Sequence, residues 1–164
     1  MQDTLYEEKI YSKWNILILG IVVLVLLVAL IWQIIVGPLG TRPASNWFFA
    51  GMIIFFLLIG INFASLSIKV NMQGVSVGYG IIRHTVPWDS IAGCRPDEAS
   101  AVNYGGWGIR IGWVGGKGRL AYNVLGSPRV VVERRYGKYQ EFVFSTQKPE
   151  AVIEAINTGL DRQS

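Results

Sequence analysis

Side chains that commonly carry chemistry are scarce in this 164-residue chain, which has a single histidine, His84, and a single cysteine, Cys94. A zinc centre needs three or four ligands, so one chain with one of each cannot build a closed His/Cys site. No carboxylate stands closer to His84 in sequence than Asp89, and Arg83 is its neighbour, a setting that points to a surface or interface position rather than catalysis. Cys94 has no Cys or His companion at motif spacing and reads as a packed thiol. An enzyme acting on lipid would require Arg83, His84 and Asp89 to cluster.

The densest unusual stretch holds seven glycines between residues 105 and 118 and invites a phosphate-loop reading. The pattern fails: counting back from Gly116-Lys117, the first position of a Walker loop is Ile111, and the residue after Lys117 is Gly118 rather than Ser or Thr. Gly106-Trp107-Gly108 is followed by a strand pattern instead of a helix. These glycines therefore suit a loop, a bulged strand and a hairpin. No cofactor is expected. What remains is a binding signature, with Tyr104, Trp107, Trp113 and Tyr122 interleaved with Arg110, Lys117 and Arg119. Alternation places Arg110 and Gly112 on one face and Ile109, Ile111 and Trp113 on the other. In the plain reading Trp113 and Tyr122 are core and the cations are merely solvated; in the functional reading the segment is a basic, aromatic-rimmed surface. Arg134 and Arg135 form a second basic pair beside the turn through residues 136–138.

The elements that must hold these residues divide the chain sharply. It is 51% hydrophobic and 16% charged, yet residues 14–41 and 43–68 contain no charged side chain at all. Each block exceeds the roughly 20 residues that span a bilayer. The expected organisation is a cytoplasmic N-terminal segment over 1–13, a transmembrane helix over 14–36, an extracytoplasmic turn over 37–46, a second transmembrane helix over 47–68, and a cytoplasmic domain over 69–164. A cleaved signal peptide fits the first block less well: the apolar run is longer than an h-region, and the first 14 residues carry three acids against two lysines. Lys9 and Lys13 precede the first span, Arg42 alone lies in the turn, and Lys69 and Arg83 follow the second, which favours both termini in the cytoplasm and a plasma-membrane location. Gln33 and Asn62 are the candidates for hydrogen bonds between the helices, and Gly60 with Ala64 gives the small-xxx-small spacing that lets backbones approach. No ionisable residue marks a proton or ion path within the spans.

Beyond residue 65 the periodicity becomes alternating, and seven strands are expected at 65–70, 74–79, 81–87, 108–113, 119–124, 130–135 and 139–144. Pro149 then opens one amphipathic helix, with Val152, Ile153, Ile156 and Leu160 on a shared face. A small barrel or sandwich of that kind needs a plug at its open end, and the helix supplies it. This arrangement, with Pro-Trp-Asp-Ser-Ile at 87–91, the Gly-rich stretch from Tyr104 to Arg110, Ala-Tyr-Asn-Val at 121–124 and the closing strand plus Pro149 helix, resembles the bacterial and archaeal pleckstrin-homology-like (PH-like) domain over roughly residues 65–160. In that family such a domain often follows a pair of transmembrane helices. The resemblance implies an α+β membrane protein: a two-helix hairpin, then a PH-like seven-strand β-barrel or sandwich capped by one C-terminal helix, with no catalytic residues to carry over. Family members commonly have an acidic residue just before the helix-opening Pro. This chain has Lys148, leaving Ser145 or Thr146 to cap.

Residues 69–164 hold twelve Lys and Arg against eight acids, which is the whole net charge of +4. Basic groups beside an anionic leaflet each contribute about 1 kcal/mol within a Debye length. The expected function is therefore non-enzymatic: a membrane protein whose domain binds a protein partner or lipid headgroups through Trp107, Arg110, Lys117, Arg119, Arg134 and Arg135. The alternative is a homo-oligomeric structural protein assembled through its helices or domain edges. Without a recognition helix or a long basic run, nucleic acid is not an expected partner.

Overall fold

The computed structural model describes residues 4–38, 40–98 and 106–163. Two compact units emerge: Ser12–Ala64, and Met1–Tyr11 together with Ser65–Ser164.

The first unit is a pair of helices, α1 (Lys13–Ile35) and α2 (Asn46–Phe63). Both are long and apolar enough to cross a membrane, with mean hydropathies of 3.1 and 1.9. At 1.5 Å per residue, 23 and 18 residues give lengths of about 34 and 27 Å, bracketing a hydrocarbon core of about 30 Å. The ends are tied at both extremes. The Ser12 amide donates to the Ala64 carbonyl at 2.9 Å. At the other end the Gln33 amide nitrogen donates to Ala44 O at 2.8 Å and to Asn46 Oδ1 at 2.6 Å. Ser45 caps α2 by accepting from the Phe48 amide at 3.2 Å. Gly60 faces Leu19, whose Cδ1 lies 3.8 Å from where a Cβ would stand, so this glycine does sit where the helices approach. Gln33 ties the loop rather than the helix interior, and Asn62 is half-buried as the penultimate residue of α2. Ala64 is the C-cap, just outside the helix. The second apolar helix thus ends at Phe63 and not at residue 68, because Ser-Leu-Ser-Ile-Lys-Val alternates polar with apolar and pairs as a strand.

Among the described residues the second unit contains nine strands and one α-helix. Sheet A has the order β1-β2-β3-β4 and is antiparallel throughout: β1 (Thr4–Tyr11), β2 (Ser65–Asn71), β3 (Gly74–Tyr79) and β4 (Ile82–Pro87). A 3-10 turn, Trp88–Ser90, leads into sheet B, whose order is β5-β8-β9-β7-β6. Its strands are β5 (Ile91–Pro96), β6 (Gly108–Val114), β7 (Lys117–Asn123), β8 (Arg129–Arg134) and β9 (Glu141–Ser145). The β7–β9 pair is parallel and the others are antiparallel. Seven strands were expected; β1 and β5 are the additions, and β1 takes residues 4–11 out of the N-terminal segment and into the sheet. The two sheets are not closed into a barrel. They face one another, with the Tyr79 ring stacked on Tyr122 at 6.2 Å, its hydroxyl donating to Asn123 O at 2.8 Å, and His84 5.2 Å from Phe142.

Helix α3 (Pro149–Asp161) buries Val152, Ile156 and Gly159 against β1, β2, β5 and β8. A Cβ on Gly159 would overlap the Trp88 ring, so the absence of a side chain sets how closely the helix seats. The helix starts at Pro149 without a capping side chain on Lys148. Thr146 Oγ1 accepts from the Lys148 amide at 3.1 Å and donates to Glu8 Oε2 at 2.6 Å, while Glu8 Oε1 accepts from the Gln147 amide at 2.9 Å. A carboxylate from β1 thus holds the turn that leads into α3. Ser145 is engaged elsewhere, accepting from the Val124 amide.

Candidate functional site

Strand alternation gives sheet B two distinct faces. Leu120, Tyr122 and Phe142 point towards sheet A, and so by register do Ile111, paired with Leu120, and Trp113, paired with Gly118. Arg119, Ala121, Glu141 and Val143 point the other way.

That outer face carries a buried charge network. Glu141, 1% exposed, is ion-paired with Arg119 at one carboxylate oxygen; at the other it meets Arg95 Nη2 at 3.1 Å and Lys117 Nζ at 3.4 Å. Arg119 Nη1 also lies 3.4 Å from Asp97 Oδ1, whose second oxygen accepts from Arg129 Nε at 2.7 Å, and Arg95 Nε donates to Glu133 at 2.9 Å. Four cations therefore share three acids in the middle of the sheet. Arg119 is 5% exposed and held on two sides, so it is removed from the expected binding surface: its charge is spent inside the fold. Lys117 is half-exposed but tied to the same Glu141.

The remaining expected cations do not form one patch. Arg110 is exposed on β6 and donates its Nε to the Trp107 carbonyl at 3.1 Å; Trp107 is half-buried. Tyr104 lies outside the described residues. Arg134 and Arg135 diverge as strand neighbours do. The Arg134 guanidinium packs on Gly137. Arg135 lines a separate cleft with Trp88, Asp89 and Leu160.

The feature with an unmatched apolar surface is β6, the terminal strand of sheet B. Gly115 and Gly116 have φ of +58° and +79°, the signature of a two-residue I′ hairpin, and they turn β6 back onto β7. The alternation expected from sequence holds, but Trp113 is not core: Ile111 is 64% and Trp113 76% exposed, whereas Tyr122 is fully enclosed. Trp113 lies over Gly118, 3.8 Å from a Cβ built there, covering backbone that has no side chain of its own. Ile111 and Trp113 border a cleft of about 290 Å³ with Gly118, Lys138 and Tyr139. These two residues continue the core-facing side of the sheet past the edge of its cover. Lys138 and Tyr139 were missed from sequence; the aromatic next to a lysine just before a strand was the only available signal.

Among the described residues no chemistry-bearing cluster competes with this surface. Among the described residues no group of three His, Cys, Asp or Glu side chains is close enough to hold a metal ion. His84 sits half-buried with its ring on Phe142, and burial, reinforced by Arg134, lowers its pKa from the usual 6.5. Arg83 points to the opposite face of β4, and Asp89 lines the Arg135 cleft, so the three do not assemble. Burial pushes the Cys94 thiol up to about 12, leaving it a poor nucleophile. No family model, no curated protein and no solved structure matches the chain.

Proposed function

We propose that this chain is a non-enzymatic integral membrane protein whose β domain is a docking module held at the plasma membrane by its two helices. The domain is PH-like in this reading, supported by two facing, mostly antiparallel sheets with a single C-terminal helix packed on one side. The helices are the transmembrane hairpin, with both termini on the cytoplasmic side, supported by the lysines at residues 9 and 13 and by the lone Arg42 in the turn.

The observation that carries the reading is the β6 edge. A terminal strand presents unpaired backbone donors and acceptors to any chain that can align with it. Here the strand also offers Ile111 and Trp113, exposed beside a cleft that Lys138 borders, with Arg110 and Lys117 on the opposite face of the same hairpin. That combination fits an extended protein segment adding to the sheet, its backbone bonded to β6 and its apolar side chains lying on Ile111 and Trp113. Acidic residues in that segment would complement the surrounding cations.

The test is a photoreactive amino acid in place of Trp113 in the full chain, activated in native membranes. A discrete heterologous adduct that disappears when Ile111→Lys is added supports docking at β6. Adducts only with the protein itself would overturn a separate partner in favour of the homo-oligomer, and no adduct at 113 would remove the β6 site.

A further inference from the structure

One end of sheet A has a composition that a water-facing edge does not need. By register, the pairs Tyr11–Ser65 and Tyr79–Ile82 close the same end of the sheet. It is through this end that the chain passes, at Ser12 and Ala64, into the helical hairpin. The β3–β4 turn there, Gly80-Ile81, is a two-residue hairpin with positive φ only at Gly80, the II′ pattern. Such turn tips are normally filled by polar residues. This one carries Ile81, 93% exposed, followed by Ile82, also exposed. At the neighbouring corner Tyr11 is 59% exposed, with Lys9 Nζ 5.5 Å above its ring.

One step further from that end, a single row crosses all four strands: Lys9, Ser67, Gly78 and Arg83. Leu66, Ile68 and Val70 face the core, so Ser67 and its row face outward. Lys9 and Arg83, both exposed, stand at the two edges of the sheet, about 14 Å apart at three strand spacings. Between them Ser67 is half-buried and Gly78 carries no side chain, a Cβ there being excluded by the Arg83 backbone. The opposite end differs: its β2–β3 turn holds Met72 and Gln73 and no cation. Strands are about 4.8 Å apart, so the Ile81 turn stands within about 10 Å of Ser65, the first residue of β2, a consequence of register alone.

The geometry points to this end of sheet A as a lipid-contact surface, with Ile81, Ile82 and Tyr11 entering the interface and Lys9 and Arg83 meeting anionic headgroups behind them. The order of side chains is that of a membrane interface, apolar and aromatic first and basic next. This inference rests on the transmembrane reading of the hairpin. It concerns a surface separate from β6, and none of the cations expected from sequence to bind a partner or lipid headgroups belongs to it.

The test uses the full chain with Cys94→Ser and single cysteines at 81, 72 or 24, labelled with the fluorophore NBD and reconstituted into vesicles of phosphatidylcholine and phosphatidylglycerol. Lipid contact gives a blue-shifted emission at 81 and loss of intensity to a nitroxide-bearing lipid comparable to that at 24, while 72 stays unshifted and unquenched. With Lys9→Glu and Arg83→Glu together, quenching at 81 falls in these vesicles and is unchanged in phosphatidylcholine alone. Quenching at 24 with 81 behaving like 72 overturns the lipid contact and leaves the hairpin standing. Absence of quenching at 24 overturns both, and quenching at 81 that ignores the charge reversals overturns the role of the two cations.

Discussion

Glu141→Gln isolates the worth of the charge network on sheet B. The carboxylate is 1% exposed and is met by Arg119, Arg95 and Lys117; neutralising it at nearly constant volume leaves Arg119, itself 5% exposed, with Asp97 as its remaining acidic partner in the network. Removing one member of a buried pair costs about 3–5 kcal/mol, because the other charge stays desolvated. Arg95 retains Glu133 and Lys117 is half in water, so the loss falls mainly on Arg119 and the lower part of that range, about 3 kcal/mol, is expected. For a domain of this size that corresponds to a fall of roughly 12 °C or more in Tm. The assay is thermal or urea unfolding of the full chain in mild detergent, followed by tryptophan fluorescence. Glu7→Gln is the matched control: its 2.7 Å pair with Lys69 is largely exposed and is worth under about 1 kcal/mol. Replacing Arg119 and Glu141 together with Met and Leu recovers much of the loss if desolvation is the cause. Equal small losses for Glu141→Gln and Glu7→Gln would refute the reasoning, since burial would then have added nothing.

Three further outcomes follow from the packing. Gly159→Ala, which in an exposed helix would help by about 1 kcal/mol, is expected to destabilise by about 1–3 kcal/mol through overlap with Trp88, and Trp88→Leu should relieve it in a double-mutant cycle. Glu8→Ala strips acceptors from Thr146, which is fully buried, and from the Gln147 amide, so unfolding should come about 1–3 kcal/mol sooner with no change in the far-ultraviolet spectrum of the folded state. His84 has a pKa lowered in the folded state by burial and by Arg134, so the folded chain resists protonation. Its contribution to stability is whole above the ordinary value of about 6.5 and is lost as pH falls through 6.5 towards the folded value; denaturation midpoints should drop over that window, less so in His84→Gln.

How much of this was legible in the sequence depends on what each residue had to reveal. The helices are written in composition, because an apolar run of that length has few other uses. Alternation also put Ile111 and Trp113 on the correct face of β6. What alternation does not contain is how far the facing sheet reaches, and so Trp113 was expected in the core beside Tyr122 although only Tyr122 is enclosed. Net charge misled at Arg119 for a related reason: a sum over residues cannot distinguish a cation in water from one pinned between Glu141 and Asp97, and the β7–β9 pairing that brings Glu141 to it is parallel and remote in sequence. Strand β1 escaped notice because Glu7, Glu8 and Lys9 make it look like a solvated leader. As an edge strand it buries only Ile10 and keeps Glu7 and Lys9 outward, while Glu8, paired with Ile68 on the core-facing side, serves the distant helix α3. Strand β5 lacks alternation altogether, with Gly93 at a register shift and Pro96 at its end.

The claim on which the docking and lipid-contact proposals both depend is that the two helices cross the bilayer and leave the β domain on the inner side. Single cysteines at Ser45, in the turn between the helices, and at Gln163, after α3, in a Cys94→Ser chain allow a direct measurement: reaction with a membrane-impermeant maleimide on intact cells and again after lysis. The expected result is labelling at 45 from outside and at 163 only after lysis. Labelling at 163 but not at 45 on intact cells would invert the arrangement, and labelling at both would mean that the helices do not hold the chain across the membrane.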